Sequence, residues 1–232
     1  MKSGCIGGTQ LPSCKWVIPR EAWEKMATNN RAVRNLRQSL QLTDYQEKVL
    51  VGTILGDGSL VGCYWNGKWK RGYRLKIQHS QSQKSYLFWK YRVFREWVLK
   101  APRYEEKTKS WRFQTISHPV FALLRKDFYT DYGKKRLTSW LDAKLSDPLV
   151  LAVWFMDDGS NMPRGGCILN TQNFAYCEVK YLQEFFERQL GLDVSVHRDK
   201  RGYRLYLLRA SAKRFGKLIA PYITESMSYK LP

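Results

Sequence analysis

The chain has 232 residues and a formal net charge of +20, with 40 lysine and arginine residues against 20 aspartate and glutamate residues. Apolar residues make up 44% of it, which is enough to build a core and excludes a disordered basic tail. No apolar run approaches the roughly 18 residues that a membrane span needs, and residues 1–11 show no secretory signal pattern. The 5 cysteines show no CxxC spacing, which argues against a zinc finger or a disulfide scaffold. We therefore expect an intracellular protein of a reducing compartment, either the cytoplasm of a microbe or an organelle matrix.

The positive charge is concentrated in the middle of the chain. Residues 41–140 carry 20 basic and 8 acidic residues, whereas residues 141–232 carry 13 and 10. No acidic residue lies between Asp57 and Glu96. Because a solvated surface normally mixes both signs, this pattern favours a polyanionic partner. The basic residues alternate with strand-like aromatics instead of lining one amphipathic helix, which argues against a membrane surface.

The predicted elements begin with a basic helical extension in residues 1–40. Thr43 and Gln46 then form a capping-box pattern that opens a helix through residue 55. Asn66-Gly67, between aromatic and β-branched residues, predicts a hairpin turn. The elements expected around and after that turn are strands at 59–65 and 71–79, a helix at 82–99, strands at 102–107 and 110–116, helices at 119–129 and 148–156, strand-like segments at 166–171, a helix at 175–190, a hairpin at 192–208 and a helix at 211–221.

This order of elements occurs twice, which divides the chain into a first half, 41–140, and a second half, 141–232. Each half follows the order helix, hairpin, helix, hairpin, helix. Residues 50–58 (LVGTILGDG) align with 151–159 (LAVWFMDDG), and both end a helix with a carboxylate at the eighth position and glycine at the ninth. A repeat of this kind predicts that Asp57 and Asp158 lie near a pseudo-two-fold axis.

The two aligned motifs also predict how their helices pack and what they bind. Gly52 and Gly56 are four residues apart, so they share a helix face and allow close approach of a second helix. Two carboxylates brought together repel each other unless a cation neutralises them, and oxygen ligands suit Mg²⁺, with Mn²⁺ as a substitute. The alternative is that Asp57 and Asp158 are ordinary helix-end residues before a glycine.

The two motifs resemble those of the LAGLIDADG homing endonuclease family, in its single-chain, two-motif form. The resemblance covers residues 40–232, and it is strongest in the second half, in AVWFMDDGS, ILNTQNF and MSYKLP. The sixth motif position, often acidic in the family, is Leu55 and Met156 here. The resemblance implies an α+β fold of two αββαββα halves, with the motif helices at the centre and two antiparallel sheets forming a DNA-binding saddle.

The resemblance also implies roles for individual residues. It places metal ligands at Asp57 and Asp158, with a lysine beside each centre. Those lysines are Lys230 and Lys135, with Lys134 as the alternative to Lys135. Residues 77–81 align with 168–172, and Gln81 and Gln172 resemble the family's residues that order the attacking water; the alternative is a polar strand end before a helix.

The implied partner is double-stranded DNA, bound by a monomer and cut on both strands to leave short 3′ overhangs. Sequence would be read in the major groove by side chains at alternate strand positions. The register stays open, because a slip of one residue turns the whole set to the other face. The candidate DNA contacts are Trp65, Lys68, Lys70, Arg71, Tyr73, Lys76, Lys107, Lys109, Arg112, Arg164, Arg198, Lys200, Arg201 and Arg204.

Two other functions remain open at the level of sequence. An RNA maturase of the same fold would bind intron RNA and assist its splicing without needing the catalytic residues. A non-catalytic DNA-binding regulator would likewise not need two acidic motif ends. The three histidines, His79, His118 and His197, fit no metal-ligand or catalytic-triad pattern.

Overall fold

A computed structural model describes residues 20–27, 30–65, 68–163 and 165–232. Helices α1 (Arg20–Lys25) and α2 (Arg31–Ser39) precede the repeated part. Val33 of α2 is fully buried, and Arg37 donates its Nε hydrogen to the Ser117 carbonyl over 2.7 Å. The described part of the predicted extension is therefore helical and packs on the first half.

The two halves contain the same sequence of elements. The first half consists of α3 (Asp44–Leu55), β1 (Ser59–Trp65), β2 (Lys68–Ser80), α4 (Lys84–Val93), β3 (Arg103–Glu105), β4 (Ser110–Gln114) and α5 (Pro119–Phe128). A short helix α6 (Asp142–Leu145) leads to the second half, which consists of α7 (Pro148–Asp158), β5 (Gly159–Asn161), β6 (Cys167–Leu169), α8 (Tyr176–Leu190), β7 (Val194–Asp199), β8 (Gly202–Leu207) and α9 (Arg209–Ile219). Short 3₁₀ helices cover Gln81–Gln83, Arg95–Trp97, Glu106–Thr108, Ser139–Leu141, Ala220–Tyr222 and Glu225–Lys230.

Each half contributes one four-stranded antiparallel sheet. The strand orders are β1-β2-β4-β3 and β5-β6-β8-β7, which are the same arrangement repeated. The predicted α+β class with two αββαββα halves is confirmed. Within the described ranges, no helix has both the length and the apolar character needed to cross a membrane.

The sequence-based elements differ from the structure mainly in short segments. Strand β5 was not predicted, because three residues directly after a helix are too few to show alternation. The predicted helix at 82–99 is helix α4 flanked by two 3₁₀ turns. The predicted boundary between the halves, at residue 140, falls inside the turn Ser139–Leu141, and the domain limits stay a prediction.

Helices α3 and α7 form the centre of the molecule. The capping box of α3 is present, since the Thr43 side chain accepts from the Gln46 amide and the Gln46 side chain accepts from the Thr43 amide. Helix α7 is capped at its amino end by Asp147, whose carboxylate accepts from the Leu149 amide over 2.9 Å. Both helices are buried on all faces over most of their length, which is typical of helices that cross the middle of a core.

The close approach predicted from Gly52 and Gly56 is confirmed. A Cβ atom added to Gly52 would lie 2.6 Å from the Val150 carbonyl oxygen of α7, and one added to Gly56 would lie 2.3 Å from Cβ of Asp157. The two backbones therefore approach each other at the positions where α3 has no side chain.

Gly56→Ala is expected to lower the free energy of unfolding by about 3 kcal/mol, because the added methyl group must push the two helices apart. Chemical denaturation measures this loss. The control is Gly191→Ala, where no atom lies within 4 Å of the added Cβ and only the left-handed backbone adds a cost, about 1 kcal/mol. Equal losses in the two variants would contradict the close helix contact.

Candidate active site

Asp57 and Asp158 lie at the carboxyl ends of the two central helices, and a lysine donates to the main chain of each helix end. The ammonium group of Lys135 donates to the carbonyl of Gly56. The ammonium group of Lys230 donates to the carbonyl of Asp157 over 3.0 Å, and to that of the residue before it over 2.6 Å. Gly56 and Asp157 are both the seventh residue of their motif. The two lysines therefore occupy equivalent positions in the two halves, as the repeat predicts.

The carboxylates of Asp57 and Asp158 are partly withdrawn from water and lie close to each other and to Asp157, and both effects raise their pKa values. Burial, followed by the charge of Asp157, raises the pKa of Asp57 to about 6. Burial, followed by the charges of Asp57 and Asp157, raises the pKa of Asp158 to about 7. In the part of the chain that the structure describes, neither Asp57 nor Asp158 forms an ion pair with lysine or arginine. Two carboxylates in this state fit a divalent cation with oxygen ligands, such as Mg²⁺.

The side chain of Asp157, which precedes Asp158, has a different role. It is fully buried, and Lys90 of α4 donates to its two oxygens over 2.7 and 2.8 Å. The hydroxyl of Tyr86 donates to it over 2.8 Å, and the amide of Asp57 over 3.1 Å. Because its oxygens already accept these bonds, Asp157 joins the two halves and is less suited than Asp57 or Asp158 to hold a metal ion.

His79 is the histidine that the structure brings to the carboxylates. Its Nδ1 lies 3.5 Å from an oxygen of Asp57, and its Nε2 lies 3.3 Å from the Lys90 ammonium. The side chains of Asp57, His79 and Asp157 offer ligand atoms that all lie within 4.8 Å of one another. Burial, followed by the charge of Lys90, lowers the pKa of His79 to about 4, so the ring is neutral near pH 7.

The repeat contains a signal for His79 that sequence reasoning missed. The alignment of 77–81 with 168–172 pairs His79 with Asn170. The backbone amide and the side-chain amide of Asn170 donate to the main-chain carbonyl of Asp158 over 3.0 and 2.8 Å. Both positions therefore contact the aspartate of their own motif.

The two predicted glutamines lie two residues after His79 and Asn170, and their side chains bond to other partners. The side-chain oxygen of Gln81 accepts from the indole of Trp111 over 2.5 Å. The side-chain nitrogen of Gln172 donates to Asp199 over 3.2 Å. Four of the six predicted catalytic residues are thus brought together, and the water-ordering role of the glutamines stays a prediction.

The family model named LAGLIDADG DNA endonuclease family matches residues 47–215. The chain belongs to this family. A relative from Wickerhamomyces canadensis named probable intron-encoded endonuclease 1 is 29% identical over 231 residues, which cover 94% of this chain and 97% of the relative. A relative from Debaryomyces hansenii named cytochrome b mRNA maturase bI2 is 31% identical over 228 residues, which cover 93% and 84%. The solved structure of the homing endonuclease I-WcaI bound to its DNA recognition sequence has a TM-score of 0.80 and 26% identity, with 93% of this chain and 99% of that one covered.

In this LAGLIDADG protein, the sheet register separates the candidate DNA contacts into sets. Leu75 and Ile77 of β2 face the core, so Lys76 between them faces the open side of the sheet. Tyr73 is two residues before Leu75, so its side chain lies on the same face of β2 and packs against the core. This corrects the prediction that Tyr73 lies on the open face together with Lys76. Arg112 and Arg204 lie on open faces, and each is paired with an acidic neighbour.

The other candidate contacts lie outside the strand centres or outside the described residues. Exposed turn or strand-end positions are occupied by Lys107, Lys109, Arg198, Lys200 and Arg201. The backbone of Trp65, Lys68, Lys70 and Arg71 lies in β1 and β2, but their side chains are not among the described parts, and Arg164 lies outside the described residues. Open-face positions that sequence reasoning missed are Arg74, Gln78, Arg103, Gln114, His197 and Tyr206.

The raised pKa values predict a pH dependence of stability in the absence of metal. In the folded protein, the pKa of each of these two aspartates lies above its ordinary value of 3.8. Their contribution to stability is therefore complete below about pH 4 and is lost as the pH rises through about 6 to 7. The double variant Asp57→Asn/Asp158→Asn should lack this loss. Urea denaturation in a metal chelator, from about pH 5 to about pH 8, measures the difference from the wild type. The exposed Asp131→Asn serves as the control, and equal pH slopes in wild type and double variant would contradict the prediction.

Proposed function

We propose that this protein is a site-specific homing endonuclease that hydrolyses both strands of double-stranded DNA with a divalent metal, Mg²⁺ or Mn²⁺, and leaves short 3′ overhangs. The observation that carries this proposal is the pair of equivalent helix ends, where Lys135 donates to the carbonyl of the residue before Asp57 and Lys230 donates to the carbonyl of the residue before Asp158. Family membership and the similarity to I-WcaI, a homing endonuclease solved with its DNA recognition sequence, support the same function.

The metal would be held by the carboxylates of Asp57 and Asp158. A bound divalent ion supplies an activated water and neutralises negative charge on the phosphate. The two lysines are fixed by their bonds to main-chain carbonyls, and each ammonium group has three N–H donors. Lys135 uses one donor on Gly56 and Lys230 uses two on the second motif, so each retains a donor for a phosphate oxygen. Positive charge held in place in this way stabilises the charge that develops as the phosphodiester bond breaks.

The DNA would lie across the open faces of the two sheets. These faces carry basic side chains such as Lys76, Arg112 and Arg204. Base edges in the major groove present a distinct donor and acceptor pattern for each base pair, so polar strand side chains can read sequence. The net charge of +20 supplies the sequence-independent part of the affinity.

The first half is expected to supply most of the salt-sensitive affinity. Neutralising Lys68, Lys70 and Arg71 should reduce the slope of log affinity against log salt by up to about 3, since each phosphate contact contributes about 0.9. Neutralising the second-half set Arg198, Lys200 and Arg201 should reduce it less. Fluorescence anisotropy over a salt series measures both slopes. Equal reductions would show that the charge asymmetry of the halves does not shape DNA binding.

The endonuclease function is tested by incubating the protein with Mg²⁺ and a DNA library and sequencing the ends that are produced. The library combines randomised sites with partly randomised versions of the I-WcaI recognition sequence, because an overall identity of 26% does not imply the same target. Recurrent ends with short 3′ overhangs are expected with the wild type. Absence of any cleaved site with Mg²⁺ or Mn²⁺ would contradict the proposal.

A second function, assistance of intron splicing, has its own support in the 31% identity to a protein named as a cytochrome b mRNA maturase. Binding of intron RNA does not require metal-binding carboxylates. The variant Asp57→Asn/Asp158→Asn separates the two functions, because it should lose DNA cleavage and keep any effect on splicing. A splicing assay with an intron-containing transcript measures the second activity.

A further inference from the structure

The Lys90 ammonium group fixes the tautomer of the His79 ring. An ammonium group has three hydrogens and no acceptor. Lys90 directs them at both oxygens of Asp157, over 2.7 and 2.8 Å, and at Nε2 of His79, over 3.3 Å. Nε2 must therefore accept, and a neutral imidazole that accepts at Nε2 carries its hydrogen on Nδ1.

The Nδ1–H group points towards the carboxylate of Asp57. Nδ1 is 3.5 Å from the nearer oxygen, which is longer than a formed hydrogen bond, and no hydrogen bond of normal geometry reaches it among the described residues. The side chain of Gln83 is the other acceptor near the ring. The His79 side chain is 1% exposed, and the ring of Tyr86 packs beside it with centroids 5.0 Å apart. A buried N–H without an acceptor is costly, so a small movement of the partly exposed Asp57 side chain towards it is favourable.

The second centre lacks this arrangement. Asn170 occupies the repeat position of His79, but it donates to the main-chain carbonyl of Asp158 and not to the carboxylate. Among the described hydrogen bonds, Lys90 contacts the ring of His79, whereas no lysine contacts the side chain of Asn170. The carboxylates of Asp57 and Asp158 are thus supported in different ways.

We propose that His79, oriented by Lys90, is a positioning residue for the Asp57 carboxylate, and that the two active centres are consequently unequal. The inference rests on the proposed endonuclease function and deepens it. Its consequence is that loss of His79 affects the centre built on Asp57, and hence one DNA strand, more than the centre built on Asp158. Groups that hold a metal-binding side chain in place typically change metal affinity or activity by 10- to 100-fold when they are removed.

The experiment measures each strand separately, with a cleaved target site that carries a different label on each strand. His79→Ala is expected to slow one strand by about 10- to 100-fold and to leave the other within about twofold. His79→Asn keeps an amide donor and should restore part of the slowed rate. Asn170→Ala is the matched variant of the second centre and should not reproduce the bias of His79→Ala. Equal slowing of both strands, or no slowing, would overturn the proposal.

Two further measurements do not depend on cleavage. Calcium titration of the protein–DNA complex should show weaker divalent binding in His79→Ala, and recovery in His79→Asn. Nitrogen-15 NMR of the wild type should show the Nδ1–H tautomer for His79, assigned by its loss in His79→Asn; the Nε2–H tautomer would overturn the proposal. If the wild type cleaves no DNA, the endonuclease function fails, and these two measurements still decide whether His79 positions Asp57.

Discussion

Replacing Lys90 with methionine is expected to lower the free energy of unfolding by about 3–5 kcal/mol, because it leaves a carboxylate buried without its partner. The side chains of Lys90 and Asp157 have no exposed surface, and their charged atoms are 2.7 Å apart. The pair also joins α4 of the first half to α7 of the second, so its loss weakens the contact between the halves. Urea denaturation near neutral pH measures the loss.

Two further variants show whether the loss comes from the buried charge. Lys144→Met removes a lysine whose pair with Glu47 is also 2.7 Å long, but whose side chains are 29% and 38% exposed. That change should cost no more than about 1 kcal/mol, since water screens exposed pairs. The double variant Lys90→Met/Asp157→Asn should recover part of the stability, because it no longer buries a lone charge. If Lys90→Met and Lys144→Met cost the same, the buried pair does not have the strength that its geometry indicates.

The parts of the fold that sequence predicted are those encoded by local or repeated patterns. The capping box at Thr43, the glycine face of α3 and the order of strands and helices each depend on residues close together in the chain. Lys135 and Lys230 were implied by the family resemblance, and their spacing from the two motifs is consistent with the repeat. Their bonds to the seventh-position carbonyls agree with that equivalence.

The parts that sequence did not predict depend on contacts between distant segments. Lys90 and Asp157 are 67 residues apart, and Lys90 reads in the sequence as one more basic residue in a stretch that favours a polyanion. Only the packing of α4 against the end of α7 converts it into a buried partner. The sequence likewise did not show on which side of the sheet the Tyr73 side chain lies. Alternation along a strand separates its side chains into two sets, but only the packing of the helices decides which set faces the core.

Asp158→Asn is expected to reduce double-strand cleavage by at least about a hundredfold, which is the effect of removing one group that stabilises the transition state. An amide has the size of a carboxylate but lacks the negative charge that a divalent cation requires. The fold should survive, because burial already raises the pKa of Asp158 to about 7 and its neutral form is therefore tolerated.

Binding of DNA separates a metal-binding role of Asp158 from a structural one. Because DNA phosphates are negative, removing a carboxylate beside them should leave metal-free affinity unchanged or slightly higher. Cleavage is measured on a labelled target, and affinity is measured by anisotropy without divalent metal. Asp193→Asn, at a side chain that is 71% exposed, is the matched control and should retain full activity. Loss of DNA binding together with cleavage in Asp158→Asn would make this carboxylate a structural residue, and the motif end in the second half would then not be part of a catalytic centre.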